Sequence, residues 1–177
     1  MNPARVERHV CPACRSNRLV LRAGAGPAPD RVETGVIECG GCGASYPVER
    51  GIPRFVPATN YAASFGFQWN IHARTQLDSH SGRPISHDRL WAALGGKADM
   101  TAQRVLEAGS GAGRFTEVLM ASGADVTTFD YSSAVDANAA NQVPSPRLHL
   151  FQGDIFNIPL PEASFDTVVC LGVLQHT

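Results

Sequence analysis

Val105-Leu106-Glu107-Ala108-Gly109-Ser110-Gly111-Ala112-Gly113-Arg114-Phe115 runs from an apolar pair through three glycines at alternate positions. It continues as Phe115-Thr116-Glu117-Val118-Leu119-Met120, an amphipathic helical pattern. Strand, glycine turn and helix in that order make the first unit of a nucleotide-binding α/β sheet. Glycine is needed where backbone must lie against a ligand, because a Cβ would hold the two apart. The helix N-terminus then presents unpaired N–H groups to whatever sits there. A glycine-rich turn without a ligand is the alternative.

The spacing bears on which nucleotide. A dinucleotide fingerprint reads G-x-G-x-x-G, its third glycine packing helix on strand beneath a pyrophosphate. Here Arg114 holds the sixth position, and the glycines follow an acid, Glu107. A carboxylate on this loop repels a pyrophosphate but suits a ligand carrying an ammonium or a sulfonium. The segment resembles motif I of the class I S-adenosylmethionine-dependent methyltransferases, with a type 11-like core, over roughly residues 101–177.

Downstream, Ala124-Asp125-Val126-Thr127-Thr128-Phe129-Asp130 reads as the second strand. Its terminal Asp130 stands 21 residues after Gly109, where a βαβ unit presents a carboxylate to a ribose. An aspartate capping the next helix is the weaker alternative, since Ser132 and Ser133 can serve there. Ala134 to Gln142 reads as a helix ended by Pro144 and Pro146, and Leu148-His149-Leu150-Phe151 as the third strand. Gly153-Asp154-Ile155 follows at its C-terminal end, where ligands collect in open sheets. Thr167-Val168-Val169-Cys170-Leu171-Gly172 reads as the fourth strand, with Cys170 as a core hydrophobe. The resemblance implies that Asp154 accepts from the adenine amino group and that the Ile155 N–H meets the ring. It implies a cofactor set of Glu107, Gly109, Ser110, Gly111, Gly113, Asp130, Tyr131, Asp154 and Ile155.

The expected fold is therefore an α/β, Rossmann-like doubly wound parallel sheet in strand order 3-2-1-4. The family sheet has seven strands, ordered 3-2-1-4-5-7-6. The sequence is accordingly expected to be the N-terminal part of a larger enzyme, inactive alone. The missing half would be supplied in cis or by a completing chain. His176, just past the fourth strand, is the candidate general base, with a bystander histidine as the alternative.

Upstream, Cys11-Pro12-Ala13-Cys14 and Cys39-Gly40-Gly41-Cys42 form two C-x-x-C pairs separated by 24 residues. Each pair makes a tight knuckle, and two knuckles complete a tetrahedral thiolate site for zinc. Four thiolates close the site, so the metal would be structural. The excess in the separation is placed in Gly24-Ala25-Gly26-Pro27-Ala28-Pro29 as an outward bulge. Strand candidates flank the knuckles: Leu19-Val20-Leu21, Val36-Ile37-Glu38 and Tyr46-Pro47-Val48. Residues 9–57 resemble the small zinc ribbons found beside methyltransferases. Disulfides are the alternative, disfavoured by a cytoplasmic compartment.

Three segments follow: a zinc-ribbon-like domain over 1–57, a linker or lid over 58–100 and the methyltransferase half over 101–177. In the linker, Phe65-Gly66-Phe67-Gln68-Trp69-Asn70 is aromatic without clear periodicity. It is either a lid over cofactor, as the resemblance implies, or interdomain packing. Ser86 to Gly96 reads as a helix with Ser86 as N-cap, Leu90, Trp91 and Leu94 on one face, and Gly95 at its end.

The 177 residues, 44% hydrophobic and 18% charged, are those of a globular chain. A net charge of −1 gives no broad attraction for nucleic acid or membrane. No apolar run is long enough for a transmembrane helix and the first residues lack a signal-peptide pattern, so a cytoplasmic location is the default. The methyl acceptor is an RNA or a small molecule, between which motif-level similarity does not choose. An NAD-dependent oxidoreductase and a non-catalytic interaction module are the competing functions. Arg114 and the added Asp154 count against the former.

Overall fold

The computed structural model describes residues 1–24, 31–57, 60, 62–96 and 99–176, without the side chain of His176. The expected bulge over Ala25–Pro29 lies outside the described residues, as does any role for the His176 side chain. The chain divides into two compact units, Met1–Thr59 with Phe151–Ser164, and Asn60–Leu150 with Phe165–Thr177.

The first unit opens with a 3₁₀ turn, Pro3–Arg8, capped by the Asn2 side chain on the Ala4 N–H at 2.9 Å. An antiparallel sheet follows, formed by β1 Leu19–Ala23, β2 Gly35–Cys39, β3 Ser45–Glu49 and β4 Ile52–Pro53 in sequential order. All three sequence-predicted strands are present. The register pairs Leu19 with Cys39 and Ile37 with both Leu21 and Tyr46, so Ile37 is fully buried at the centre. Strand alternation turns Val48 inward beside it. Phe151–Ser164 belongs to this unit: the Phe55 N–H donates to Gln152 O at 2.8 Å, and Arg54 bridges Gln152 in parallel.

The second unit carries the parallel sheet. Its helices are α1 Ala63–Ile71, α2 Asp78–Ser81, α3 Ile85–Ala93, α4 Arg114–Ala121 and α5 Ala134–Asn141. The strands of that sheet are β5 Arg104–Ala108, β6 Asp125–Asp130, β7 Leu148–Gln152, whose last two residues count with the first unit, and β8 Thr167–Val169. The order is β7-β6-β5-β8, the expected 3-2-1-4, and β5 pairs in parallel with β6 and β8. Val105, Val126, Leu119, Leu90 and Trp91 share one core, which explains the apolar pair Val105-Leu106 in β5.

Three local details differ from expectation. The aromatic stretch 63–71 is helical, and Gly66 is what seats it: a Cβ there would run into Ser133. Ser86 is not the N-cap of α3. Asp78 caps that helix instead, its two carboxylate oxygens accepting the N–H groups of Ser86 at 2.9 Å and His87 at 2.8 Å. A carboxylate can serve two N–H groups where one hydroxyl cannot, and it complements the helix dipole. Finally, β8 stops at Val169, so Cys170 lies beyond the strand and only half-buried.

Candidate functional site

The glycine turn begins where β5 ends. The N–H groups of Gly109 and Ser110 both donate to Phe129 O at 2.9 Å, pinning the turn to the end of β6. Gly109, Gly111 and Gly113 all have positive φ, of 80°, 52° and 93°, so the alternating glycines answer a backbone need. At Gly109 a Cβ would strike Val173, and at Gly113 it would strike Asn138 and Gln142. The close approach at those two positions is thus to the protein's own side chains. Gly111 differs: a Cβ there would make only ordinary contact, with the Trp69 indole at 3.8 Å.

Glu107 was expected beside a cationic ligand. It lies inside β5, 2% exposed, with Oε2 accepting the hydroxyls of Thr116 at 2.5 Å and Thr128 at 2.8 Å. Thr116 in turn accepts from Asn138 Nδ2 at 2.9 Å, so a polar chain runs from α5 through α4 to β5. Burial pushes the Glu107 carboxyl up to about 7, against the opposing hydroxyl hydrogen bonds. Its Oε1 is buried without a hydrogen-bond partner among the described residues.

Asp130 ends β6. Its Oδ2 accepts the Gly111 N–H at 2.8 Å, and its Oδ1 accepts the Ser132 N–H at 2.8 Å and hydroxyl at 2.7 Å. A carboxylate has about four acceptor positions and three are taken here, so about one further hydroxyl can be received. Ser132 Oγ also accepts the Ala134 N–H at 3.1 Å, so the serine, not the aspartate, caps α5 directly. Tyr131 offers its carbonyl to Asn60 Nδ2 at 3.3 Å.

Sequence reasoning missed the amide row on and after α5. Asn141 Nδ2 donates to Ala112 O at 2.9 Å and to Ala73 O at 2.8 Å, and Gln142 Nε2 donates to Gly113 O at 3.3 Å. These two amides hold the glycine turn, and Asn138 holds α4 through Thr116. The spacing 138, 141, 142 on one helical face was the available signal.

In the first unit the two knuckles have matching turns. Arg15 N–H donates to Cys11 O at 2.8 Å, and Gly43 N–H to Cys39 O at 2.9 Å. They bring the Sγ atoms of Cys11, Cys14, Cys39 and Cys42 within 4.8 Å of one another. Cys11 and Cys42 sulfurs are 3.7 Å apart, and those of Cys14 and Cys39 are 3.6 Å apart. A tetrahedron with metal–sulfur distances of about 2.3 Å has edges of about 3.8 Å, so the cluster fits a tetrahedral ion. Burial opposes the Cys11 thiolate, yet the Tyr46 hydroxyl at 3.2 Å and the knuckle N–H groups draw its pKa down to about 6. Cys14 goes to about 12: the Ser16 N–H favours its thiolate, but the neighbouring sulfurs and desolvation prevail. A cation at the centre removes that repulsion.

Asp154 and Ile155 also lie in the first unit, after β7. Asp154 folds back on its own turn, Oδ1 accepting the Phe156 N–H at 2.9 Å. No helix among the described residues is long and apolar enough to cross a membrane.

Residues 106–177 match the family model described as a methyltransferase domain. Two curated proteins of Mycobacterium tuberculosis are similar to the chain, each 34% identical over 76 residues. They are the probable S-adenosylmethionine-dependent methyltransferases MT3114, of strain CDC 1551 / Oshkosh, and Rv3030, of strain H37Rv. The aligned region is 43% of this chain and 27% of each relative. With the strand order, the glycine turn and the terminal Asp130 already in place, residues 106–177 are thus similar to a methyltransferase domain, preceded in this chain by a four-cysteine β unit.

Proposed function

We propose that this chain binds S-adenosylmethionine and serves methyl transfer to an acceptor. One observation carries the reading: a carboxylate at the end of the second parallel strand, Asp130, is tied by hydrogen bond to the half-buried middle glycine of the turn, Gly111. That arrangement sets fixed acceptor oxygens beside a glycine whose Cβ position meets only the Trp69 indole among the described residues. A ribose hydroxyl donating to Asp130 would form a charge-assisted bond. The resemblance keeps Glu107 in the cofactor set, its unpartnered Oε1 lying buried beneath the turn. Gly109, Ser110 and Gly113 shape the turn, Tyr131 follows the ribose acid, and the resemblance assigns the adenine edge to Asp154 and Ile155.

When bound, the cofactor supplies a sulfonium methyl whose leaving group is a neutral thioether. The protein's part is to position donor and acceptor and to exclude water. The α5 amides and the Glu107–Thr116–Asn138 chain keep the turn in one conformation, so ordering it does not draw on ligand affinity. Cys11, Cys14, Cys39 and Cys42 are assigned to one structural zinc, consistent with their sulfur spacing.

The test is calorimetry of the chain with S-adenosylmethionine, S-adenosylhomocysteine and NAD. Binding of the first two and not the third is expected. Binding of NAD alone would replace this reading with an oxidoreductase one.

A further inference from the structure

Arg15 is a non-glycine residue with φ of 61°. The twin position in the second knuckle is Gly43, with φ of 77° and the same return hydrogen bond to the first cysteine's carbonyl. Left-handed backbone favours glycine, and nothing lies within 4 Å of a Cβ at Gly43, so the turn alone asks only for that conformation. An arginine kept in such a place calls for another reason.

Its side chain supplies one. Arg15 Nη1 donates to Ile158 O at 2.6 Å, and Nη2 donates to Leu160 O at 2.8 Å. Between those carbonyls, Pro159 O accepts the Val10 N–H at 3.1 Å and faces the His9 Nδ1, also at 3.1 Å. Three consecutive carbonyls, 158 to 160, are therefore engaged by residues within four positions of Cys11. The other end of the segment is held too, by Phe55 N–H on Gln152 O and by Phe151 packed on the Phe55 and His9 rings. Phe55 also packs on Tyr46, whose hydroxyl reaches Cys11 Sγ. All of these residues belong to the first unit.

We propose that Arg15 is a positioning residue tying the four-cysteine site to residues 152–160, so that metal loading of the cysteines and placement of Asp154 rise and fall together. A fork-shaped guanidinium suits the role because it fixes two carbonyls at once in one plane. The consequence for ligand affinity rests on the proposed cofactor reading, in which Asp154 meets the adenine. The consequence for segment order does not.

The experiment uses the full chain and the variant Arg15→Gly, which gives the first knuckle the residue that the second already has. Metal content is measured by elemental analysis, and amide hydrogen exchange is followed over residues 154–160. One metal per chain in both proteins is expected, with exchange in that segment about tenfold faster in the variant and unchanged in β5 and β6. S-adenosylhomocysteine should bind the variant about tenfold more weakly. Equal exchange in a fully loaded variant would overturn the proposal. Wild-type protein that binds no S-adenosylhomocysteine would overturn the cofactor reading instead, while exchange still judges the tie. If Arg15→Gly loses its metal, chelation of the wild type under reducing conditions decides. Faster exchange over 154–160 on metal removal supports the tie, and unaltered exchange ends it.

Discussion

Asp130 Oδ2 accepts the backbone N–H of Gly111 at 2.8 Å, across 19 residues of sequence. The bond fixes the relative height of two turns that leave adjacent parallel strands, β5 and β6. The same carboxylate holds Ser132 on its other oxygen, so Asp130 organises both turns. An acid at this position has a structural duty in addition to any ligand it meets.

That duty sets the first expectation. Asp130→Ala should weaken S-adenosylhomocysteine binding by about 1.5–3 kcal/mol, the scale of lost charge-assisted hydrogen bonds. Asp130→Asn should do little better, because its NH2 would have to face a backbone N–H at Gly111 or Ser132. Calorimetry on both variants checks this. Unchanged affinity in both would remove Asp130 from the ligand site.

Glu107 gives a pH signature. Its folded carboxyl is raised from an ordinary 4.5 to about 7 by burial. A raised acid contributes stability that is full below the unfolded value and lost as pH rises through the folded one. Relative to Glu107→Gln, the wild type should therefore lose about 3 kcal/mol of stability between pH 4.5 and pH 7. Denaturant unfolding of both proteins across that window is the measurement. Parallel curves would show that Glu107 titrates normally.

How much of this was legible beforehand follows from what is local. Val105-Leu106 and Val126 to Phe129 could be read as strands because β-branched and apolar residues favour them, and Asp130 because strand ends fall at fixed steps along the chain. The cysteine knuckles are equally local. What escaped depends on distant partners. Helix α1 lacks an apolar stripe and exists against Ser133, 67 residues beyond Gly66, through the absence of a Cβ. Asp78 reached past the expected cap Ser86, and Arg15 reached residues 158 and 160. Glu107 stands out in the sequence as an acid before the glycines, but its burial beneath Thr116 and Thr128 comes from sheet pairing and helix packing that no spacing rule states.

The glycines can be separated by what surrounds them. Gly113 (φ 93°) would drive a Cβ into Asn138 and Gln142, whereas Gly172 (φ 74°) has nothing within 4 Å. Gly172→Ala should cost about 1 kcal/mol, the left-handed backbone strain alone. Gly113→Ala should cost about 2–4 kcal/mol, since crowding adds to strain. Urea unfolding of the two variants tests the difference, and equal costs would mean that the amide row yields freely.

Metal should be needed for the first unit. Cys39→Ser should bind no stoichiometric metal by elemental analysis and should lose protection from exchange over β1 to β3. Small β units with little core depend on such ligands for folding free energy. Residues 151–164 should loosen with them, because they pack in that unit. Purified, reduced wild-type protein without metal would defeat the assignment.

Trp69 allows the proposed ligand site to be watched directly. Its indole lies 3.8 Å from the Cβ position of Gly111 and is partly exposed, while the other tryptophan, Trp91, is buried in the core of the second unit. A ligand settling on the glycine turn must change the water and polar groups around the first indole and leave those around the second alone. Indole emission follows that local polarity. Titration with S-adenosylhomocysteine should therefore shift or quench the emission with the same midpoint that calorimetry gives. Trp69→Phe should abolish the optical signal while keeping an aromatic ring at the turn, and Trp91→Phe should keep the signal. Phenylalanine preserves most of the packing area but none of the N–H, so affinity in Trp69→Phe should fall by no more than about 1 kcal/mol. Calorimetric binding with silent emission in the wild type would place the ligand away from Gly111.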